Sequence, residues 1–194
     1  TTTPWTIPAN KALAFNSNID YSVLEIENLE HFKEKRIVVA TNLVKEITEI
    51  CEIKNYKEIK TFKGSEFQKT ICSHPFVKMK FEYNVPMLDA QFVNLEQGTG
   101  IVHCAPSHGP DDFSLCLKNN IPSLYTVDNG GLYTNEIPFF ENTHIFKADP
   151  IVIEKLKEQK KLLKNDKLSH SYPHSWRSKA PLIYRATPQW FISM

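Results

Sequence analysis

No stretch of this sequence keeps a single hydrophobic period for long, because glycine, proline or a polar turn interrupts each run. Residues 11–27 (KALAFNSNIDYSVLEIE) hold two extended runs around the turn Asn16-Ser17-Asn18. Arg36–Ala40 (RIVVA) predicts a buried strand. Thr41 or Asn42 is placed to cap a following helix with Leu43, Val44, Ile47 and Ile50 on one face. Lys57–Phe62 alternates and is broken by Gly64-Ser65. Segments 76–83 and 85–95 are expected to pair as strands around Asn84, with Pro86 near an edge. Gly98-Thr99-Gly100 precedes a short strand, Ile101–Cys104, which Pro106 ends. Pro110 suits the first position of a helix whose opening turn holds Asp111 and Asp112, where negative charge favours the helix dipole. The clearest helix follows Asp149-Pro150, read as cap and first residue, with Ile151, Leu156, Leu162 and Leu163 spaced for burial. Many short strands with few helices argue for an α+β fold rather than alternating βαβ units.

The 194 residues suit one domain, 1–194, and 41% hydrophobic with 23% charged residues is an ordinary globular balance. A formal net charge of +1 argues against a surface built to grip a nucleic-acid duplex. A pocket for one unpaired nucleotide end remains compatible with it. Cys51, Cys72, Cys104 and Cys116 form no CxxC pair and suggest neither zinc knuckle nor disulfide framework, so a reduced, cytoplasmic protein is expected. No apolar run approaches a membrane span. The chain opens on Thr1 and closes on QWFISM, and is expected to be a domain excised from a longer parent.

Three clusters carry chemistry. Thr1-Thr2-Thr3-Pro4-Trp5-Thr6 sets small hydroxyls on a stiffened, extended backbone, apt for a carbonyl, a ribose hydroxyl or a phosphate. A β-branched edge strand is the plainer reading. In Gly98–Asp112 (GTGIVHCAPSHGPDD), glycines permit close approach to a ligand. His103, His108 and Asp112 there are metal or acid–base candidates, although their spacing matches no compact metal motif. From the residues alone, His103 is equally a satisfied structural histidine, and stabilising the helix N-terminus is the preferred reading for Asp111 and Asp112. Cys104 and His103 are strand neighbours facing opposite ways, which disfavours a Cys-His dyad. In the third cluster, His170–Met194, Arg177, Lys179 and Arg185 are suited to phosphates, and Trp176, Tyr184 and Trp190 to stacked bases. A structural connection is the preferred reading for most of these side chains.

Taken in order, TTTPW, GTGIVHCAP, HGPDDF (108–113), SYPH (171–174) and TPQWF (187–191) resemble the editing domain of bacterial-type isoleucyl-tRNA synthetases over essentially the whole chain. The sister valyl and leucyl enzymes typically show TTRP where this chain has Thr3-Pro4, and the valyl enzyme usually has Lys where this chain has His103. The resemblance implies a β-rich, barrel-like editing domain with a few peripheral helices, inserted in a larger synthetase. The parent uses ATP and Mg, and its HIGH and KMSKS signatures are absent from this sequence. No cofactor is expected for the domain itself. The implied reaction is hydrolysis of valine wrongly esterified to isoleucine tRNA, with valyl-adenylate a lesser substrate. The implied partners are the 3′ end of that tRNA and the rest of the synthetase in cis, with no membrane and a monomeric fragment.

Site roles follow by the same resemblance. Asp112 pairs with the α-ammonium of the misplaced amino acid, His103 lines the side-chain pocket and rejects isoleucine, and Thr2 and Thr3, with Thr1 nearby, position the ester and the attacking water. Trp5 and Asn10 complete this framework, and backbone N–H groups near Gly98–Gly100 steady the oxyanion. Relatives with YPHCWRC bind zinc; Ser175 and Ser178 stand in the cysteine positions here, so no metal is expected. A tRNA-end binding module without hydrolysis and a valyl- or leucyl-type editing domain are the alternatives.

Overall fold

The computed structural model describes residues 1–27, 29–96, 98–166 and 172–194. His170 and Ser171, at the head of the third cluster, lie outside them. The fold is α+β, with two sheets and three short α-helices among the described residues. The first sheet has the order β5-β6-β1-β7, with β1 at Ala12–Phe15, β5 at Ile71–Ser73, β6 at Asn84–Asp89 and β7 at Val102–Cys104. The second is an antiparallel sheet in the order β3-β2-β4, with β2 at Asp20–Ile26, β3 at Arg36–Ala40 and β4 at Tyr56–Lys63. The barrel-like description holds only loosely, since neither sheet closes on itself.

β1 is covered on both faces, and its sequence says how. Ala12 and Ala14 face Cys104 and Cys116 in a small-residue cluster. Leu13 and Phe15 face the core built on the second sheet and helix α1, Val44–Ile50. Alternate strand residues point to opposite faces, and the alanines let helix α2, Pro110–Lys118, approach closely. The two sheets are tied by Tyr21, fully buried in β2, whose hydroxyl donates to Gly100 O at 2.7 Å and accepts from Asn16 N–H at 3.1 Å. The turn after β4 is glycine because a Cβ on Gly64 would sit 2.1 Å from Asn16 O. A third core packs the N-terminal turn against α3, Ala148–Glu158, with Trp5, Phe76, Phe81, Tyr133 and Phe140 among its members.

Several sequence expectations are corrected. The extended backbone expected for Thr1–Thr6 does not run through: Thr1–Thr3 lie outside any helix, but Pro4–Ala9 is a 3-10 helix. Segment 76–83 is not a strand but a 3-10 turn, Val77–Met79, closed by left-handed Lys80, and β6 pairs instead with Ile71–Ser73. Its apolar residues Phe76 and Phe81 stack with His74 and Phe140 rather than alternating across a pleat. Pro86 therefore lies on an inner strand, facing the three-residue β5. Neither Thr41 nor Asn42 caps α1; a 3-10 turn, Thr41–Leu43, precedes it, and the Thr41 hydroxyl bonds Ser22 Oγ at 2.9 Å. Asp149 is not the cap of α3 but lies in its first turn, and Leu162 and Leu163 fall beyond its end at Glu158. Among the described residues, no helix is long and apolar enough to cross a membrane.

Candidate active site

A cleft of about 770 Å³ is lined by stretches far apart in sequence. Thr1, Thr2, Thr3, Trp5 and Thr6 come from the N-terminal turn; Gly98, Thr99, Ile101, Val102, His103 and Ala105 from the edge strand β7 and its approaches. Asp112 comes from α2, Glu46, Ile47 and Ile50 from α1, and His108, Lys164, Asp166, Tyr172 and Tyr184 complete the wall. The volume falls within the range of roughly 300–1,000 Å³ typical of small-molecule sites.

His103 is held at both ring nitrogens. The Asn10 amide nitrogen can only donate, so Nδ1 accepts from Asn10 Nδ2 at 3.1 Å, while the other Asn10 N–H goes to Ala12 O at 2.9 Å. The Thr6 hydroxyl gives its proton to Thr3 O at 2.8 Å, so its oxygen accepts from His103 Nε2–H, also at 2.8 Å. The chain of donors fixes one neutral tautomer. Burial, chiefly, and the neighbouring His108 and His74 lower the His103 pKa to about 4. With both nitrogens occupied, the imidazole offers the cleft a fixed surface rather than a lone pair for water.

His108 and His74 are satisfied in the same way. His108 Nδ1–H donates to Tyr184 O and its Nε2 accepts from Thr126, both at 2.9 Å. His74 Nε2–H donates to Ile7 O and Nδ1 accepts from Phe76 N–H, both at 3.1 Å. Burial lowers the pKa of each to about 4. An unfolded histidine titrates near ~6.5. Below that pH the unfolded chain binds protons that these three native imidazoles refuse, so stability falls as pH drops from 6.5 towards 4. Each histidine contributes at most ~1.4 kcal/mol per pH unit. Asp112 and Asp149, whose pKa values burial raises, act in the opposite sense as they protonate. The urea midpoint is expected to decline steadily between pH 7 and 5; a midpoint constant across that interval would contradict the three neutral imidazoles.

Asp112 sits in the first turn of α2. Its Oδ2 accepts from Ala105 N–H at 2.8 Å, which pins the carboxylate two residues beyond His103 on the chain. Oδ1 has no hydrogen-bond partner among the described residues. Burial raises the Asp112 pKa against the Ala105 bond, so a cation arriving in the cleft relieves an existing electrostatic cost.

The other candidates divide. Thr2 and Thr3 line the cleft and touch each other at 3.4 Å through their hydroxyls, and Thr3 N–H donates to Thr1 Oγ1 at 3.1 Å. Trp5 is mostly core: its N–H donates to Asp149 Oδ1 at 2.8 Å, Tyr133 OH donates to its carbonyl, and its ring meets His108 edge-on at 4.7 Å. Asn10 is buried and reaches the site only through His103. Gly100 lies behind the cleft wall, where φ is +76° and a Cβ would stand 2.5 Å from Ala40 Cβ. Cys104 turns away from the cleft into the cluster with Cys116. Glu46, Ile47, Ile50, Lys164 and Asp166 line the cleft without a site signal in the sequence, while Thr6 and Ala105 lie within the chemical motifs but carry no assigned role there. Thr6 alone carried a signal, a hydroxyl one turn after Thr3. In the third cluster, Arg185 is engaged by Asn129 at 2.6 Å and Val127 O at 3.4 Å, and Tyr184 joins the cleft wall. No group of three or more His, Cys, Asp or Glu suited to a metal occurs among the described residues.

The family model described as "Leucyl-tRNA synthetase, editing domain" matches residues 19–166. The chain belongs to this editing-domain family. Within the family its similarity is to the isoleucyl branch, as the TTTPW and GTGIVHCAP motifs led one to expect. It is 67% identical over all 194 residues to isoleucine--tRNA ligase of Pelagibacter ubique (strain HTCC1062). It is 43% identical over the same length to that of Francisella tularensis subsp. tularensis (strain WY96-3418). The chain spans about a fifth of these relatives, 21% and 20% of their length. The editing-domain fold is also that of solved structures. The crystal structure of GlLeuRS-CP1 superposes with a TM-score of 0.66 at 12% identity, covering 87% of this chain and 83% of that one. The P. falciparum cytosolic leucyl-tRNA synthetase editing domain (space group P21) gives 0.59 at 11% identity, covering 83% and 76%.

Proposed function

We propose that residues 1–194 form the editing unit of a larger isoleucine-tRNA ligase and hydrolyse valine wrongly esterified to the 3′ end of isoleucine tRNA, with valyl-adenylate a lesser substrate. One observation carries this reading: a neutral, doubly held imidazole and a partly buried carboxylate with one open oxygen face the same cleft as the threonine hydroxyls. Asp112 receives the α-ammonium of the amino acid, a charge-assisted contact that sets the position of the ester. His103 walls the aliphatic pocket. Thr2 and Thr3 hold the ester and water in line, and backbone N–H groups beside Gly98 and Thr99 meet the developing oxyanion. The ester is already activated, so positioning and charge stabilisation suffice without a covalent enzyme intermediate.

The test is deacylation by the purified chain of isoleucine tRNA carrying valine, compared with the same tRNA carrying isoleucine. Slow release of valine with isoleucine retained is expected. Tight tRNA binding with no release of valine would make the domain a binding module instead, and preferential release from a valine or leucine tRNA would move it to a sister specificity.

A further inference from the structure

Residues 172–194 contain Arg177, Lys179 and Arg185 but no Asp or Glu, whereas the whole chain nets only +1, so residues 1–171 net −2. Residues of this basic strip contribute to three recesses. Tyr172 and Tyr184 line the main cleft. Tyr172, His174 and Pro181 line a second recess of about 340 Å³ that shares Thr2, Thr3 and Trp5 with the cleft. Arg185, Thr187 and Gln189 line a third, with Tyr125 and Asn129.

A tight loop connects His174 and Pro181, which pair with each other and line the second recess. Ser175 N–H donates to Ala180 O at 2.8 Å, Lys179 N–H to Ser175 O at 2.9 Å and Leu182 N–H to Pro173 O at 3.0 Å. Lys179 takes the left-handed backbone conformation that closes the turn. The loop holds out Trp176, 83% exposed, beside Arg177 and Lys179, which make no ion pair among the described residues. A large aromatic held in water by a bonded loop, flanked by two uncompensated cations, matches the chemistry of a single-stranded nucleic acid. A base has a face to stack on the indole, and its phosphates meet the cations. An apolar partner would be ill served by the flanking charges.

We infer that the Trp176–Lys179 loop binds the unpaired RNA strand leading to the esterified nucleotide, stacking a base on Trp176 and contacting phosphate through Arg177 and Lys179. The inference rests on the proposed tRNA-end substrate, and it adds the rim that receives nucleotides upstream of the reacting one.

The experiment separates the two readings by measuring binding and hydrolysis independently. The full chain is titrated with an RNA hairpin bearing four unpaired 3′ nucleotides and with the same hairpin made blunt. Trp176→Ala is expected to weaken binding of the overhang by about 5- to 150-fold and to leave the blunt hairpin unchanged. Arg177→Gln with Lys179→Gln is expected to flatten the salt dependence by about 0.7 in log–log slope per cation removed. Hydrolysis of 2′-valyl-adenosine, which has no upstream nucleotide, is expected to be unchanged in both variants. Equal overhang binding by wild type and variants would overturn the inference and leave the loop to a protein neighbour, whatever the hydrolysis shows. Absence of hydrolysis in wild type, with the binding differences intact, would overturn the proposed activity alone.

Discussion

Asp112→Asn is expected to lower kcat/KM for removing valine from isoleucine tRNA by roughly 30-fold to several thousand-fold while leaving the fold unchanged. The magnitude follows from truncating one side of a partly desolvated charge pair, about 2–5 kcal/mol. Asparagine is the informative replacement because of what Asp112 already does. Its Oδ2 accepts from Ala105 N–H, and an asparagine carbonyl oxygen can continue to do so. What is lost is the charge and the open acceptor meant for the ammonium, since the amide NH2 replaces Oδ1. Asp112→Ala removes the acceptor as well, so it is expected to lose both turnover and about 1–3 kcal/mol of stability through the orphaned N–H. Thermal midpoints for the two variants, set beside their deacylation rates, keep these losses apart. Undiminished kcat/KM in the asparagine variant would remove Asp112 from the ammonium site.

The legible parts of this molecule were those whose cause is local. RIVVA at 36–40 and the run around Tyr21 became strands because short apolar, β-branched runs and their flanking turns act within a few residues. Pro110 and the two aspartates after it marked α2 for the same reason. The failures have distant causes. Asp149 looks like a helix cap, but its carboxylate is drawn to Trp5 N–H, 144 residues away in sequence. Thr41 looks like a cap too, and bonds Ser22 on the neighbouring strand. Phe76 and Phe81 give 76–83 the apolar content of a strand, yet they serve an aromatic cluster closed by Phe140. At the site, the motifs named Thr2, Thr3, His103 and Asp112, all of which line the one cleft. They said nothing of Ile47, Ile50 or Lys164, whose places there depend on how α1 and the segment after α3 pack.

His103→Ala is the second large effect, and it concerns specificity. Valine and isoleucine differ by one methylene, which a hydrophobic pocket distinguishes by only about 1–3 kcal/mol, with this very pair in a synthetase as the standard example. An editing pocket that uses size in reverse needs a wall that does not yield. The imidazole qualifies because Asn10 and Thr6 clamp both nitrogens, and Thr6 is itself tied to Thr3 O. Removing the ring is expected to raise the ratio of isoleucine to valine released from isoleucine tRNA by roughly 10- to 200-fold, mainly through faster loss of isoleucine. Thr6→Val keeps the ring but removes one clamp, so a smaller rise in the same ratio is expected. The pH profile of turnover is expected to keep its shape in His103→Ala, since an imidazole with both nitrogens engaged takes no proton from water. If isoleucine stays esterified in His103→Ala while valine is still released, the excluding surface must lie elsewhere in the cleft, with Ile47 and Val102 the next residues to truncate.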